Sequence, residues 1–342
     1  MNFKTAILAL FFLFSSCHSN QKPILHLFTW SDYIERAVIE RFENEYRCQV
    51  VIDTYDSNES MYAKLKLGAR GYDLIVPSNY YLDLMREQKM LQPLDPLKLP
   101  NAIHLDPTYL TLIGKEALDY GIPYMITMTG LAYRADKIPQ FDPTWKIFDH
   151  KEFKGRMTML NDIREAIGAG LKVLGYSVNS TDEKEINEAA DVLIRWKKNL
   201  AKFESEQYKN GIASAEFLVA QGYSGDVLQV MQENQGVAFS YPKEGTSMTV
   251  DFLVIPQDAK EISLAYAFIN FLLRPDIAAQ NIKFTSYLSP NQDAYPLLDE
   301  KLRTNVALFP PDEVLQKTEL IKNVHQYSPL FNKAWDRIKA SD

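Results

Sequence analysis

The sequence predicts an α/β fold in two domains, on three observations. Strand-like and helix-like segments alternate from Pro23 to Pro123. At 342 residues the chain is long for a single core. An apolar, Thr-rich run, Met125–Tyr133, reads as a strand that leaves the first domain.

The first strand is Leu25–Thr29, whose Leu25, Leu27, Phe28 and Thr29 suit a strand covered on both faces. It ends in Trp30, Ser31, Asp32 and Tyr33, just where a helix with apolar Ile34, Ala37, Val38 and Phe42 begins, and Ser31 or Asp32 is placed to cap that helix. Ligands of open α/β sheets sit beyond the carboxyl ends of strands, which makes Trp30, Ser31 and Tyr33 candidate binding residues. The structural alternative for Trp30 is packing against the following helix.

The helix Ile34–Tyr46, strand Gln49–Asp53, a helix near Ser60–Leu67, strand Tyr72–Val76 and a helix near Tyr81–Gln88 complete a βαβαβ order. The loop Asp53–Glu59 reads as a helix start served by Ser57 or Asn58. Pro77-Ser78-Asn79-Tyr80 follows a buried strand at the same rim as Trp30, and Ser78 and Tyr80 are candidates there, because Tyr80 is a large amphipathic side chain where a small one would serve.

Gly121-Ile122-Pro123-Tyr124 leads into the crossing run, with the crossing placed near Ile126–Leu131. Beyond a loop, Pro139–Asp149, lie strand Met157–Leu160 and the turn Asn161–Glu165, which opens a helix. Ile186, Ala189, Ala190, Leu193 and Trp196 predict a long helix over Glu183–Phe203. Gly222-Tyr223-Ser224-Gly225-Asp226 opens another helix, before strand Gly236–Tyr241. Strand Val250–Pro256 carries one carboxylate, Asp251, inside an apolar run. A buried charge needs a cation, several donors or a ligand. Helices Ile262–Leu273 and Pro275–Asn281, the latter with Pro in its first turn, precede a Pro310-Pro311 connection and a last helix near Leu330–Ala340.

Composition agrees with a folded protein: 46% of residues are hydrophobic and 12% aromatic, enough for large cores, while the net charge of −7 argues against nucleic acid and mildly favours cationic partners. Lys4, the apolar run Ala6–Phe14 and Ser15-Ser16 read as a signal peptide over residues 1–16. If Cys17 is acylated, Cys48 is without an intramolecular partner, and it reads as a small apolar residue of a strand. There is no Gly-x-Gly-x-x-Gly, no phosphate-binding loop, no Cys-x-x-Cys and no His-Glu-x-x-His. Gly222–Asp226 lacks the last glycine of a nucleophile elbow, and the histidines are scattered. No catalytic residue, metal ligand or cofactor is assigned, although two carboxyls suffice for glycoside hydrolysis.

Asp162, Glu165, Asp226 and Asp251 accompany Trp30, Tyr33, Tyr80, Tyr223 and Tyr287. Taken singly, Asp162 with Glu165 and Asp226 with Gln229 fit helix starts. Together they suit a polyamine, a string of ammonium groups joined by methylenes. Each ammonium that leaves water costs several kcal/mol unless a carboxylate pairs with it. An aromatic face under a desolvated cation adds roughly 2 kcal/mol.

Trp30–Tyr33, Tyr55–Leu65, Tyr72–Ser78, Phe268–Asp276 and Ser289-Pro290-Asn291 resemble, in order, the spermidine/putrescine-binding proteins of bacterial polyamine ABC importers. The resemblance covers essentially the whole mature chain. It implies a two-lobe periplasmic-binding-protein fold of type II, each lobe a central mixed sheet flanked by helices, joined by crossing hinge strands. It implies an N-terminal lobe of residues 23–127 plus 250–301 and a C-terminal lobe of residues 128–249 plus 302–342, hinged near Ile126–Leu131 and Thr249–Asp251.

Carried over residue by residue, Trp30, Ser31, Tyr33, Ser78 and Tyr80 match ligand-contacting positions of the first lobe. Asp162, Glu165, Asp226 and Asp251 match positions whose carboxylates bind or face amino groups, and Tyr287 matches an aromatic of the site. Tyr223 stands where members have Trp, and Thr249 where they have Trp or Phe. Asp226 is similar to the putrescine-preferring members. Small residues before Cys17 resemble a lipobox, with Phe14 where Leu is usual, which implies acylation of Cys17 and a tether over residues 17–22.

The expected protein is a monomeric, periplasmic, membrane-anchored lipoprotein that hands putrescine or spermidine to a permease with its ATPase. The rival readings are a polyamine sensor for a membrane receptor and a carboxylate-based hydrolase.

Overall fold

The computed structural model describes residues 22–341, so the expected signal peptide, the acylation site Cys17 and the tether up to Gln21 lie outside the described residues. In chain order the elements are β1 (Ile24–Trp30), α1 (Arg36–Tyr46), β2 (Gln49–Tyr55), α2 (Asn58–Lys66), β3 (Leu74–Ile75), α3 (Asn79–Glu87), α4 (Pro107–Ile113), α5 (Lys115–Leu118) and β4 (Gly121–Arg134). They continue with β5 (Met157–Met159), α6 (Ile163–Val173), α7 (Glu183–Lys197), β6 (Lys202–Phe203), α8 (Tyr208–Ala213), β7 (Val219–Tyr223), α9 (Ser224–Glu233), β8 (Val237–Ser240) and β9 (Ser247–Val254). Last come α10 (Ile262–Leu272), α11 (Pro275–Thr285), α12 (Glu300–Arg303), α13 (Asp312–Leu315), β10 (Glu319–Leu320) and α14 (Ser328–Ala340).

The strands run in the order β2-β1-β3-β9-β4-β7-β5-β6, with β10 on β9 and β8 on β4. β1 is parallel to β2 and β3, and β5 is parallel to β6 and β7. The antiparallel strands β4 and β9 join these two parallel sets. β4 is the seam. Its first part pairs with β9 from Gly121 to Met128, and its second with β7 and β8 from Thr129 to Arg134. The change of partner falls inside the predicted crossing Ile126–Leu131. Pro123, which has no N–H to donate, sits where the β4–β9 register shifts.

Leu25, Leu27, Val38, Phe42, Leu253 and Phe268 are buried together between the first part of the sheet and helices α1 and α10. Trp145, Phe148, Met157, Leu193, Trp196 and Trp335 do the same for the second part. These two clusters serve one part each and account for the apolar periodicity of α1 and α7, while a third, with Phe28, Phe252, Ala132 and Ala220, runs across the seam.

Three local expectations are corrected. Neither Ser31 nor Asp32 caps α1: Asp32 takes φ 52° in a turn, α1 begins at Arg36, and the Glu35 amide donates instead to Asn281 Oδ1 at 3.1 Å. The long helix stops at Lys197, because the buried Asn199 turns the chain by donating its side chain to the Phe148 carbonyl at 3.0 Å, and residues 202–203 become an edge strand. Cys48 is buried but precedes β2 rather than lying within it.

Asp73 fixes the first part of the sheet to α10. Its buried carboxylate accepts the amides of His26 at 2.9 Å, Lys260 at 3.0 Å and Glu261 at 2.9 Å. Three charge-assisted acceptor bonds would be orphaned together in Asp73→Ala. We expect a loss of about 3 kcal/mol in urea unfolding, with ligand affinity retained.

Candidate functional site

The carboxyl end of β1, the loops after β2 and β3, the start of α6, the β7–α9 junction, the middle of β9 and the segment just after α11 converge. Trp30 is half-buried, donates its indole N–H to the Val76 carbonyl at 3.0 Å and leans on Tyr55 at 4.7 Å between ring centroids. Tyr55 donates to the same carbonyl. One acceptor therefore holds two aromatic side chains. Ser31 lies exposed in the turn beside them.

Asp251 is the centre of the first cluster. Its side chain is buried, Tyr33 donates to its Oδ2, and Ser78 donates to its Oδ1 at 2.6 Å. Ser78 is itself oriented by Asn58, which donates to its Oγ at 3.0 Å and to the Tyr80 hydroxyl at 3.1 Å while accepting the Ser78 amide at 3.1 Å. Burial pushes the Asp251 carboxyl up to about 6, against the pull of the Ser78 and Tyr33 hydroxyls. Thr249 lies two residues earlier on β9, on the same side of the strand as Asp251, and is half-buried opposite Thr127.

The second cluster lies at the start of α6. Asp162 caps the helix through Oδ1, which accepts the amides of Arg164 at 2.9 Å and Glu165 at 3.0 Å. Its Oδ2 faces the Tyr223 hydroxyl at 3.5 Å. Capping and site roles thus fall on different oxygens of one carboxylate. Glu165 is buried and accepts at Oε2 from Thr129, at 3.0 Å, and from Ser247. Both hydroxyls belong to the crossing strands, at the point where β4 changes partner.

Burial and the neighbouring Asp162 push the Glu165 carboxyl up to about 7, and burial raises Asp162 as well. Glu59, at the start of α2, is raised by lost hydration and by Asp162 across from it. Arg164 brings positive charge to this group, but its Nη atoms donate to the carbonyls of Lys322 at 2.8 Å and Val178 at 3.2 Å and to Asn179 Oδ1 at 3.1 Å.

Asp226 heads the third cluster. It is not a helix cap: Gln229 donates to the Thr285 carbonyl at 2.7 Å, and the Asp226 oxygens accept the hydroxyls of Tyr208 at 2.9 Å and Tyr287 at 2.8 Å. Lys209 Nζ stands 3.6 Å from Oδ1. The Tyr208 hydroxyl also accepts the Tyr223 amide at 3.1 Å, which links this cluster to the second. Tyr287 meets Tyr33 edge-on at 5.8 Å, which links it to the first. Gly225 makes that wall possible, because a Cβ there would lie 2.6 Å from the Tyr287 ring.

Burial holds the phenols of Tyr33, Tyr80, Tyr223 and Tyr287 well above their usual range, so all four stay neutral donors. The arrangement is a set of buried carboxylates facing neutral hydroxyls and aromatic walls. Its chemistry suits a cation with apolar spacers. The sequence reading assigned Asp53–Glu59 only to a helix start, and so missed Asn58, which orients Ser78 and Tyr80, and Glu59. Tyr55, Tyr208, Thr129 and Ser247 were missed as well, although Tyr55, Asn58 and Glu59 stand inside the motif Tyr55–Leu65.

A family profile described as Bacterial extracellular solute-binding protein matches residues 37–310. The Spermidine/putrescine-binding periplasmic protein of Escherichia coli (strain K12) is 34% identical over 328 residues, covering 95% of this chain and 94% of its own. Among solved structures, a putative spermidine/putrescine ABC transporter protein from Listeria monocytogenes superposes with a TM-score of 0.88 at 31% identity, over 94% of this chain and 100% of the other. The TpPotD lipoprotein of Treponema pallidum does so with a TM-score of 0.85 at 32% identity, over 92% and 99%.

Proposed function

This chain belongs to the bacterial extracellular solute-binding proteins, and we propose that it captures putrescine or spermidine between two lobes and delivers it to the membrane permease of an ABC importer. The lobes of this reading are residues 23–127 plus 250–301 and residues 128–249 plus 302–342, moving about the strands β4 and β9. Trp30, Tyr33, Tyr80, Tyr223 and Tyr287 line the methylenes, Ser31 and Thr249 border the slot, and Ser78 holds Asp251. Acylated Cys17 ties the mature protein to the membrane. The small residues before Cys17 support this, as does the lipoprotein among the structural relatives.

The observation that carries the reading is the state of Asp251 and the Asp162–Glu165 pair. These three carboxyls are pushed up by burial, and among the described residues none has a Lys, Arg or His nitrogen within ion-pair distance. Such groups gain most from an ammonium that arrives with the ligand. An open-to-closed equilibrium then shifts by the contacts that the closed form alone makes with both lobes.

The test is thermal unfolding of the protein from Pro23 onward with putrescine, spermidine, cadaverine and arginine. A polyamine at ~100 times its dissociation constant stabilises by about 2.7 kcal/mol, a shift of several degrees. Such a shift with polyamines and none with arginine is the expected result. No shift with any polyamine at millimolar concentration would refute the reading. Turnover of a glycoside or peptide would favour the hydrolase instead.

A further inference from the structure

We propose that Lys209 sets the ligand preference of this site: its ammonium takes the cation position at Asp226, so Asp226 braces Tyr208 and Tyr287 instead of anchoring a ligand amine. The inference rests on the polyamine reading and deepens it. Of the five acids placed at this site, Glu59, Asp162, Glu165, Asp226 and Asp251, Asp226 is the one with a lysine or arginine nitrogen within 4 Å among the described residues. Both of its oxygens are also engaged. Oδ1 holds the Tyr287 hydroxyl and Lys209, and Oδ2 holds the Tyr208 hydroxyl.

The Lys209 side chain is 36% exposed and the Asp226 side chain 17%, so the ammonium reaches the carboxylate from the solvent side while the two phenols close the rest. Tyr208 and Lys209 are neighbours at the start of α8, which places the brace and the charge by one short helix. A ligand ammonium entering this end would displace a phenol or sit against a like charge. That leaves Asp251 and the Asp162–Glu165 pair as the anchors, which suits a diamine. A triamine would bring a third charge to an end already neutralised.

The experiment is calorimetric titration of putrescine and spermidine into the full mature protein and into Lys209→Met, Lys209→Arg, Asp226→Asn and the Lys209→Met/Asp226→Asn double variant. The unsubstituted protein and Lys209→Arg should prefer putrescine. Lys209→Met should raise spermidine affinity about tenfold relative to putrescine, and Asp226→Asn should remove that gain in the double variant. On its own, Asp226→Asn should change the affinity for either ligand by less than about tenfold.

A loss of tenfold or more in Asp226→Asn alone would overturn the proposal, because Asp226 would then anchor the ligand. So would an unchanged spermidine-to-putrescine ratio in Lys209→Met. Should Lys209→Met fail to fold, the Asp226→Asn result decides by itself. Absence of polyamine binding in the unsubstituted protein would overturn the functional reading and this inference together, whereas binding with an anchoring Asp226 overturns this inference alone.

Discussion

Asp251→Asn is expected to lower polyamine affinity by two to three orders of magnitude while leaving the ligand-free protein folded. An ammonium buried without its counter-charge costs about 3–5 kcal/mol, and a loss of that size cuts the shift seen at ~100 times the original dissociation constant from about 2.7 to about 0.4 kcal/mol or less. The ligand-free protein responds differently. The substitution removes a carboxylate whose burial already works against ionisation, and the new amide keeps one acceptor oxygen for Tyr33. It also presents an N–H to Ser78, whose hydroxyl must then stop donating.

The two effects on stability oppose each other, each on the order of 1–3 kcal/mol, so the net change stays small. Equilibrium urea unfolding without ligand and calorimetric titration with ligand, on the same preparation, separate the outcomes. Affinity retained within about threefold would show that Asp251 is a structural acceptor for Tyr33 and Ser78 and that the ligand charge is met elsewhere.

Asp251 was legible in the sequence because one charge inside Val250–Ile255 has no periodic explanation, and the structure places it buried under two hydroxyls. The alternation of strands and helices, and the late return of β9, are likewise properties of local pattern. The setting of Glu165 was not legible. Its acceptor oxygen meets Thr129 and Ser247, 36 and 82 residues away, and hydroxyls on β-strands carry no mark of such a contact.

Asn58 was hidden for another reason. Ser57 caps α2 through the Ser60 amide at 3.1 Å, a role that by itself explains a polar loop before a helix, while Asn58 beside it holds Ser78 and Tyr80. Lys209 lies in a short polar helix where a lysine needs no explanation. The expected cap of α1 failed because Asn281, from the far end of the sequence, supplies the acceptor at that helix start. Local sequence therefore read the elements and the buried charge, while partners supplied from distant segments stayed out of reach.

Polyamine affinity should fall steeply with acidification, by on the order of a hundredfold between pH 8 and pH 5.5. In the ligand-free protein, burial lifts Glu165 to about 7 and Asp251 to about 6, and raises Asp162 beside Glu165. The primary amines of the ligand, with values near 10, stay charged throughout this window. Binding therefore requires these carboxyls to lose protons, and the affinity is full only above the value that the empty site has.

The sign for stability is opposite. A carboxyl whose folded value is raised binds more protons folded than unfolded, so its contribution to stability is highest at low pH and is lost as pH rises through about 7. For Glu165, carried from 4.5 to about 7, the cost at alkaline pH is roughly 3 kcal/mol. Bound polyamine offsets that cost, so the ligand-induced rise in Tm should grow from pH 5.5 to pH 8. Titrations in two buffers of different ionisation enthalpy should show proton release near pH 6.5, and Glu165→Gln should flatten the upper part of the pH profile. A dissociation constant unchanged from pH 5.5 to 8, without proton release, would mean that the carboxyls are hydrated and ionised before the ligand arrives. The ligand-free protein would then rest with these acids open to water, and closure over them would belong to the bound state alone.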